Sequence, residues 1–355
     1  MGAATRRIAA FGALFDPDPE PGRLAKKVQT VRSAGPLPED PYSVLAEALG
    51  ADITLGHLPV ESWVSAFPDP ADLHWLRTEN LTRFIAEGGC ELMAGRLESW
   101  ASSRLGDSIP AMIGVDHSLT AGMVRALRKR YGEDLAVLVV DAHVDAIPQG
   151  IRDDLAMYAF ETGRAPKPPG WQAFPNRDVF HCGTFLHALV EEGTVPRGQV
   201  AVIGNVEARP LARSHDERAA GYLDFCDRWL DANLVQVSQT ALLSSASMDG
   251  LLLERLGHLL SEDRPVYLSW DMDVGALSAL HGVRFLDQKG LDGRVIRRLL
   301  RALRKAFQVS GARLVGFDVM EFDSLTAGDD STYAIAREVL RTLVRIEHGD
   351  DPGRG

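Results

Sequence analysis

Short apolar runs alternate with amphipathic segments along most of the chain. The apolar runs are Ile8–Phe15, Ala111–Gly114, Leu135–Val140, Val200–Gly204, Val266–Trp270 and Leu314–Phe317. Segments that favour helices lie between or after them: Ser118–Arg130, Phe185–Glu192, Asp249–Leu260, Gly293–Gln308 and Tyr333–Glu347. Uniformly apolar strands that alternate with helices are typical of a parallel sheet covered on both faces. The pattern therefore predicts a doubly wound α/β domain.

Two stretches interrupt this alternation. Residues 16–45 are rich in Pro, Gly and charge, and residues 147–178 contain the sequence Arg164-Ala-Pro-Lys-Pro-Pro-Gly170. Internal prolines exclude a continuous helix or a central strand, so both stretches are expected to be irregular. We predict a single domain over residues 1–347 with an irregular insertion at 147–178, followed by a flexible tail at 348–355. The insertion is either a lid or wall of a functional pocket or a surface loop.

Composition narrows the classes of function. The chain has 355 residues, 45% of them hydrophobic and 25% charged, which suits a globular protein with a large core. A net charge of -11 argues against binding to nucleic acid or to an anionic membrane, and favours a small or cationic substrate. Three widely spaced cysteines and no apolar run long enough to span a bilayer predict a cytoplasmic protein.

A carboxylate and imidazole motif follows the most apolar predicted strand. Alternation along an extended chain places Asp141, His143 and Asp145 on one side. Buried carboxylates at a strand end are costly unless they are paired or bound to metal. The alternative is that Asp141 caps a helix while His143 is an ordinary core residue. The pattern favours metal ligation.

Similar residues follow two other predicted strands. Asp271 and Asp273 come after Val266–Trp270, and His117 comes after Ala111–Gly114. Functional crevices of open α/β sheets lie at the carboxyl ends of strands, so the three ends are expected to converge. The six candidate ligands are His117, Asp141, His143, Asp145, Asp271 and Asp273. This set suits two divalent ions; it favours Mn²⁺ and also admits Zn²⁺, Ni²⁺, Fe²⁺ or Co²⁺.

These segments resemble the ureohydrolase family, which includes arginase, agmatinase, guanidinobutyrase and formimidoylglutamase. Family members read roughly GGDHS, DAHxD and SxDxD in this order, and here the segments are Gly114–Ser118, Asp141–Asp145 and Ser269–Asp273. A fourth segment, Gly316–Glu321, resembles the family's GxDxxE element. The resemblance spans about residue 110 to the C-terminus. It implies an arginase-like three-layer α/β/α fold and a homo-oligomer, either a trimer or a hexamer. It also implies that a hydroxide bridging two manganese ions attacks a guanidino compound to release urea and an amine.

The resemblance also implies roles for individual residues. One ion would be held by His117, Asp141, Asp145 and one or both of Asp271 and Asp273, and the other by His143, Asp141 and Asp271. Asp145 would accept a hydrogen bond from the bridging hydroxide.

Two further residues carry catalytic roles in the same resemblance. Glu321 would pair with the substrate's guanidinium, unless it forms an ordinary salt bridge. His181 resembles a family His that precedes Gly and transfers a proton to the leaving amine, although here Cys182 stands between His181 and the glycine. A structural role for His181 remains the alternative.

The chain departs from the family pattern around the expected substrate site. Val115 replaces a glycine, and Ile147 stands where arginases have an asparagine that holds the substrate's amino-acid end. The segment 274–289 lacks the usual Asp-Pro and glycine-rich loop. Its Arg284 and Lys289 either recognise a carboxylate or lie on the solvated surface, and we favour the surface.

These departures disfavour arginase activity itself and leave several substrates open. Agmatine, another guanidino amine or acid, or a specialised metabolite fits the sequence. One alternative is hydrolysis of a formimidoyl or amide C–N bond on the same scaffold. Another is a non-catalytic protein that metal ions stabilise.

Overall fold

The computed structural model describes residues 6–33, 38–168, 171, 173–206, 216–286, 290–326 and 331–348. Lys289 and most of the predicted tail lie outside these residues. Within the described chain, eight parallel strands form one sheet in the order β2-β1-β3-β8-β7-β4-β5-β6. The strands are β1 (Ile8–Ala13), β2 (Ile53–His57), β3 (Ile109–Gly114), β4 (Ala136–Val140), β5 (Val200–Ile203), β6 (Leu234–Val237), β7 (Pro265–Asp271) and β8 (Arg313–Met320).

Helices connect these parallel strands. They are α1 (Pro21–Arg32), α2 (Pro41–Leu49), α3 (Thr78–Ala86), α4 (Gly89–Arg104), α5 (Leu119–Tyr131), α6 (Gln149–Glu161), α7 (Phe185–Glu191), α8 (Glu217–Phe225), α9 (Asp231–Asn233), α10 (Gln239–Ser244), α11 (Met248–Leu256), α12 (Gly293–Ser310) and α13 (Ser331–His348). The six predicted strands and five predicted helices are confirmed, with ends displaced by a few residues. None of the described helices is long and apolar enough to cross a membrane.

The strands separate two apolar cores. Leu138 of β4 belongs to the core that contains residues of α2, α11, α12 and α13. Its neighbours Val137 and Val139 belong to the opposite core, with residues of α3, α4, α5 and α7. Successive side chains of a strand point to opposite faces, so a strand buried on both faces has to be apolar throughout. This confirms the expected three-layer α/β/α arrangement.

The sequence analysis did not predict the two edge strands, β2 and β6. β2 includes Thr54, Gly56 and His57, and all of its residues are at least partly exposed. β6 includes the half-buried Gln236. An edge strand has a neighbour on one side only and does not need a continuous apolar run, so the apolar signal is weak at both edges.

The expectation of irregular backbone is wrong for parts of both interrupted stretches. Pro21 and Pro41 begin α1 and α2, directly after the capping carboxylates of Glu20 and Asp40. In the insertion, α6 begins directly after Pro148. Proline is tolerated in the first helical turn, where its missing N–H has no intrahelical partner. In the described part of the insertion, the irregular backbone therefore follows α6, and the regular helix occupies residues 149–161.

The crossing of α4 and α5 depends on a glycine. A Cβ atom at Gly122 would lie 2.3 Å from the Ala94 carbonyl oxygen. Gly122→Ala should therefore lower the free energy of unfolding by about 1–3 kcal/mol, because the helices have to move apart. Gly95→Ala is the matched control, since a Cβ there meets nothing within 4 Å and should stabilise the protein by roughly 0.5–1 kcal/mol. Denaturant unfolding measures both effects, and equal stability of the two variants would contradict the close crossing.

Candidate metal centre

The structure brings the six predicted ligands to one edge of the sheet. The strands β3, β8, β7 and β4 are consecutive in the sheet, so their carboxyl ends adjoin. His117 follows β3, the loop Asp141–Asp145 follows β4, and Asp271 ends β7 with Asp273 two residues further on. Glu321 directly follows β8. Order in the sheet thus joins segments that are far apart in the sequence.

One group of side chains surrounds the His117 imidazole. Its Nδ1 lies 2.9 Å from Asp271 Oδ2, 3.1 Å from Asp145 Oδ2 and 3.5 Å from Asp141 Oδ2. His117, Asp141 and Asp271 are at most 1% exposed, and Asp145 is 6% exposed. One donor atom from each of the four residues lies within 4.8 Å of every other. The group has the composition of a site for one divalent ion.

A second group adjoins the first through Asp141. His143 Nδ1 lies 2.7 Å from Asp273 Oδ2 and 3.7 Å from Asp141 Oδ1. Asp141 therefore belongs to both groups, whereas Asp271 belongs to the first and Asp273 to the second. The His143 side chain is 41% exposed, so the second group opens toward solvent.

The crowded carboxylates perturb one another's ionisation. Burial raises the pKa of Asp141 and Asp271, and the Asp273 carboxylate raises both further. Burial alone would lower the pKa of His143, but the carboxylates of Asp273, Asp141 and Asp145 together outweigh this effect and the pKa rises to about 10. Four carboxylates in a buried site need positive charge, which protons on the imidazoles or metal ions can supply. Metal binding displaces such protons.

Two buried polar atoms without hydrogen bonds test whether the residues of the site fit a metal ion. His117 Nδ1 and Asp141 Oδ2 are buried and make no hydrogen bond to any described residue. Buried polar atoms normally have partners, and these two face each other within the first group. Deprotonated imidazoles and carboxylates are the donors that Mn²⁺ and Zn²⁺ accept. The residues present therefore fit divalent ions.

The loops hold their ligands through local hydrogen bonds. Asp141 Oδ1 accepts a bond of 2.5 Å from the His143 amide, and Asp271 Oδ1 accepts one of 2.7 Å from the Asp273 amide. Asp145 and Glu321 adopt positive φ values of 49° and 66°. Residues other than glycine seldom occupy this region, and when they do the strained backbone often lies at a functional site.

A buried hydrogen-bond network orients His117. The distance from its Nε2 to Ser269 Oγ is 2.8 Å, and the Ser269 hydroxyl donates to Asp318 Oδ1 at 2.5 Å. Asp318 Oδ2 also accepts from Tyr267 and Thr120 at 2.5 and 2.6 Å. Because Ser269 donates to the carboxylate, its oxygen is free to accept from Nε2–H, and this contact directs Nδ1 toward the carboxylates.

Sequence reasoning assigned no role to this supporting network. A signal was nevertheless present, because Ser269 and Asp318 interrupt otherwise apolar strands. The two residues are direct partners in the register of β7 with β8. Paired polar residues inside buried strands indicate an internal hydrogen bond.

Arg284 corrects the expectation of a solvated surface residue. It is 1% exposed, and its Nη1 donates to the Val115 carbonyl at 2.9 Å and to Asp116 Oδ2 at 3.2 Å. Its Nε lies 3.5 Å from Glu321 Oε2, while Glu321 Oε1 accepts from the His117 amide at 2.9 Å. Burial raises the pKa of Glu321 to about 8 in spite of the Arg284 charge. A further cation beside Glu321 would favour its charged form.

His181 lies in a separate hydrogen-bonded arrangement. The distance from its Nε2 to Gln149 Oε1 is 2.7 Å, and its Nδ1 accepts from the Gly183 amide at 3.1 Å. Its ring stacks on Phe174. Burial, together with the Arg152 charge, lowers its pKa to about 3. The imidazole is therefore neutral, and its role in proton transfer stays a prediction.

Cys182 lies beside Glu321, a contact that the sequence did not indicate. Its Sγ falls within 4.8 Å of carboxylate oxygens of Asp116 and Glu321. Burial raises the pKa of this thiol well above its usual range, so it is neutral. The residue that separates His181 from the glycine thus faces the Glu321 side of the centre.

A cavity of about 460 Å³ adjoins the open side of the second group. His143 lies at one end, and α6 forms a wall through Leu155, Ala159 and Phe160. Of the two possibilities left open for the insertion, α6 fits that of a pocket wall. The cavity gives a small molecule access to His143.

Comparisons with known proteins agree with this architecture. A model of the arginase family matches residues 69–345. The proclavaminate amidinohydrolase of Streptomyces clavuligerus is 29% identical over 233 residues, which are 66% of this chain and 60% of that protein. The match thus covers less than two thirds of the relative.

Solved structures show the same fold. A structure of the Streptomyces clavuligerus proclavaminate amidinohydrolase has a TM-score of 0.55 and 21% identity, covering 96% of this chain and 92% of that chain. Arginase from Bacillus subtilis has a TM-score of 0.61 and 17% identity, with 96% and 98% covered. Agmatine ureohydrolase of Thermoplasma volcanium has a TM-score of 0.54 and 19% identity, with 97% and 91% covered.

The sheet and its strand-end ligands define a three-layer α/β protein with a candidate centre for divalent metal. The family model covers most of the sequence, including every ligand named above. The chain belongs to the arginase family.

The role of Ser269 in orienting His117 can be tested by measuring metal affinity. Ser269→Ala should weaken metal binding by roughly 10- to 100-fold, because His117 loses the acceptor that fixes its orientation. Ser103→Ala is the control, since that exposed hydroxyl donates only within its own helix. Titration of metal-free protein with Mn²⁺ measures both affinities. Unchanged affinity in Ser269→Ala would contradict the role of the network.

Proposed function

We propose that this protein is a binuclear-metal hydrolase that converts a guanidino compound to urea and an amine. The observation that carries the proposal is the pair of adjoining ligand groups that share Asp141. When bound, two divalent ions would lower the pKa of water and so supply hydroxide at neutral pH. The oxygen-rich donor set supports Mn²⁺ as the metal.

The reaction adds one water across one C–N bond. A guanidinium R–NH–C(NH₂)₂⁺ and water give urea and R–NH₃⁺, so atoms and charge balance. Asp145, whose Oδ2 lies beside His117, would accept a hydrogen bond from the attacking water. Glu321 directly follows β8 and would stabilise the cationic guanidinium through a charge-assisted contact once the bound cation favours its charged form.

Because the His181 imidazole is neutral, it would relay to the leaving amine the proton that the attacking water releases. Both of its ring nitrogens are engaged, with Gln149 and with the Gly183 amide. The ring would therefore have to leave these partners before it transfers a proton. Replacement of Gln149 should affect this step without removing any metal ligand.

The family resemblance and the chain's own chemistry support three further proposals. Guanidino amines such as agmatine, guanidino acids and specialised metabolites are the candidate substrates. Cys90, Cys182 and Cys226 form no disulfide within the described chain, which supports a reducing cytoplasmic location. A homo-oligomer, trimeric or hexameric, rests on the resemblance alone.

A specific contact favours a second candidate function. Because Arg284 already lies 3.5 Å from Glu321, the reacting group need not be a guanidinium. The same centre could hydrolyse a formimidoyl or amide C–N bond. A substrate screen scored separately for urea, ammonia and free amine distinguishes the two. An amine released without urea would favour the second function.

Asp271→Ala tests the ligand assignment and the activity together. Removal of this carboxylate should abolish urea release and lower the metal content, because Asp271 lies 2.9 Å from His117 Nδ1. Elemental analysis and a urea assay measure the two effects. The control is Asp249→Ala, an exposed aspartate on α11. Full metal content in Asp271→Ala would refute the assignment, and metal-replete wild type that hydrolyses no C–N bond would favour a non-catalytic role.

A further inference from the structure

The cavity beside His143 has an apolar wall on α6. Leu155, Ala156, Ala159 and Phe160 lie at helical positions that share one face. All four are half-buried and line the open cavity, so an apolar ligand would remove their remaining surface from water.

Arg152, one helical turn from Leu155 and Ala156, brings a fixed positive charge to this cavity. Its Nε donates to the Ile147 carbonyl at 3.2 Å, and its Nη2 donates to the Gly183 carbonyl at 3.0 Å. A Cβ at Gly183 would lie 2.5 Å from the Arg152 Cζ, so the guanidinium packs directly on the glycine backbone. These contacts hold the guanidinium in place but do not neutralise it.

The Arg152 charge lacks a hydrogen-bonded carboxylate within the described chain. The nearby Asp145 Oδ1 is 3.8 Å from Nη2, which is beyond hydrogen-bonding distance. The second oxygen of Asp145 faces His117 in the metal site. The Arg152 side chain is 33% exposed, so a ligand in the cavity can reach it. A fixed guanidinium is well suited to a carboxylate.

We propose that the cavity binds the non-reacting part of the substrate, which carries an apolar carbon chain or ring and a carboxylate that pairs with Arg152. This inference rests on the proposed function and selects guanidino acids from its candidates. The apolar part packs on the α6 face formed by Leu155, Ala159 and Phe160. Guanidino amines such as agmatine present a like charge to Arg152 and bind more weakly.

Substrates that differ only at the end remote from the guanidino group test whether the Arg152 charge selects a carboxylate. In Mn²⁺-loaded protein, 4-guanidinobutyrate should exceed its primary amide in kcat/KM by roughly 10- to 100-fold, mainly through KM. Agmatine should be poorer than the amide. Equal kcat/KM for acid and amide, or a preference for agmatine, would overturn the proposal.

Variants at Arg152 show whether this residue recognises the substrate's carboxylate or only supports the structure of the metal site. Arg152→Gln should collapse the preference for acid over amide, and Arg152→Lys should restore part of it. Arg197→Gln, which alters an exposed arginine, should keep the wild-type preference. A purely structural role would instead lower kcat for acid and amide alike and reduce the metal content. That outcome would contradict the assignment.

Binding measurements keep this test independent of turnover. Calorimetric titration of Mn²⁺-loaded protein with hexanoate and hexanamide should show tighter binding of the acid, even if no guanidine yields urea. Failure of urea release alone would refute the proposed function, whereas equal affinities would refute the role of Arg152. Affinity should also rise about fourfold per methylene from butyrate to hexanoate. Affinity independent of chain length would refute the apolar contact.

Discussion

The structure depends on the burial of four aspartate carboxylates at the ends of two central strands. Asp141 and Asp145 after β4 and Asp271 and Asp273 at β7 lie close together, and each is at most 6% exposed. Like charges at these distances are stable only with positive charge among them. The two imidazoles, the short loops and the Ser269 network are arranged around that requirement. Divalent metal ions bound among these residues would supply that positive charge.

Another set of buried charged residues lies beside the four aspartates, and an arginine side chain balances its negative charge. Arg284 supplies the protein's own cation to Asp116 and Glu321. The buried Arg284 side chain therefore occupies the Glu321 side of the centre, whereas the His143 side is open to the cavity. Under the proposed role of the cavity, substrate selection would depend on α6 and Arg152 together with the family's motif residues.

The central elements were predictable because they obey local rules. Strand β4 has to be apolar at every position, since helices cover both of its faces, and its sequence shows this directly. The edge strands β2 and β6 carry no such requirement and were missed. Helices α1, α2 and α6 were hidden by prolines that stand at or just before their first turns, where proline is permitted.

The sequence alone predicted that the centre is a metal site. Carboxylates and imidazoles two positions apart after apolar strands are costly to bury unless they are paired or bound to metal. Only the tertiary structure determined which partners meet. The order of β3, β8, β7 and β4 places Asp271 against His117 and Asp273 against His143, and it buries Arg284 beside Glu321. The contacts of Asp271 with His117 and of Asp273 with His143 join residues more than a hundred positions apart. They depend on strand order and side-chain direction, and local sequence patterns encode neither.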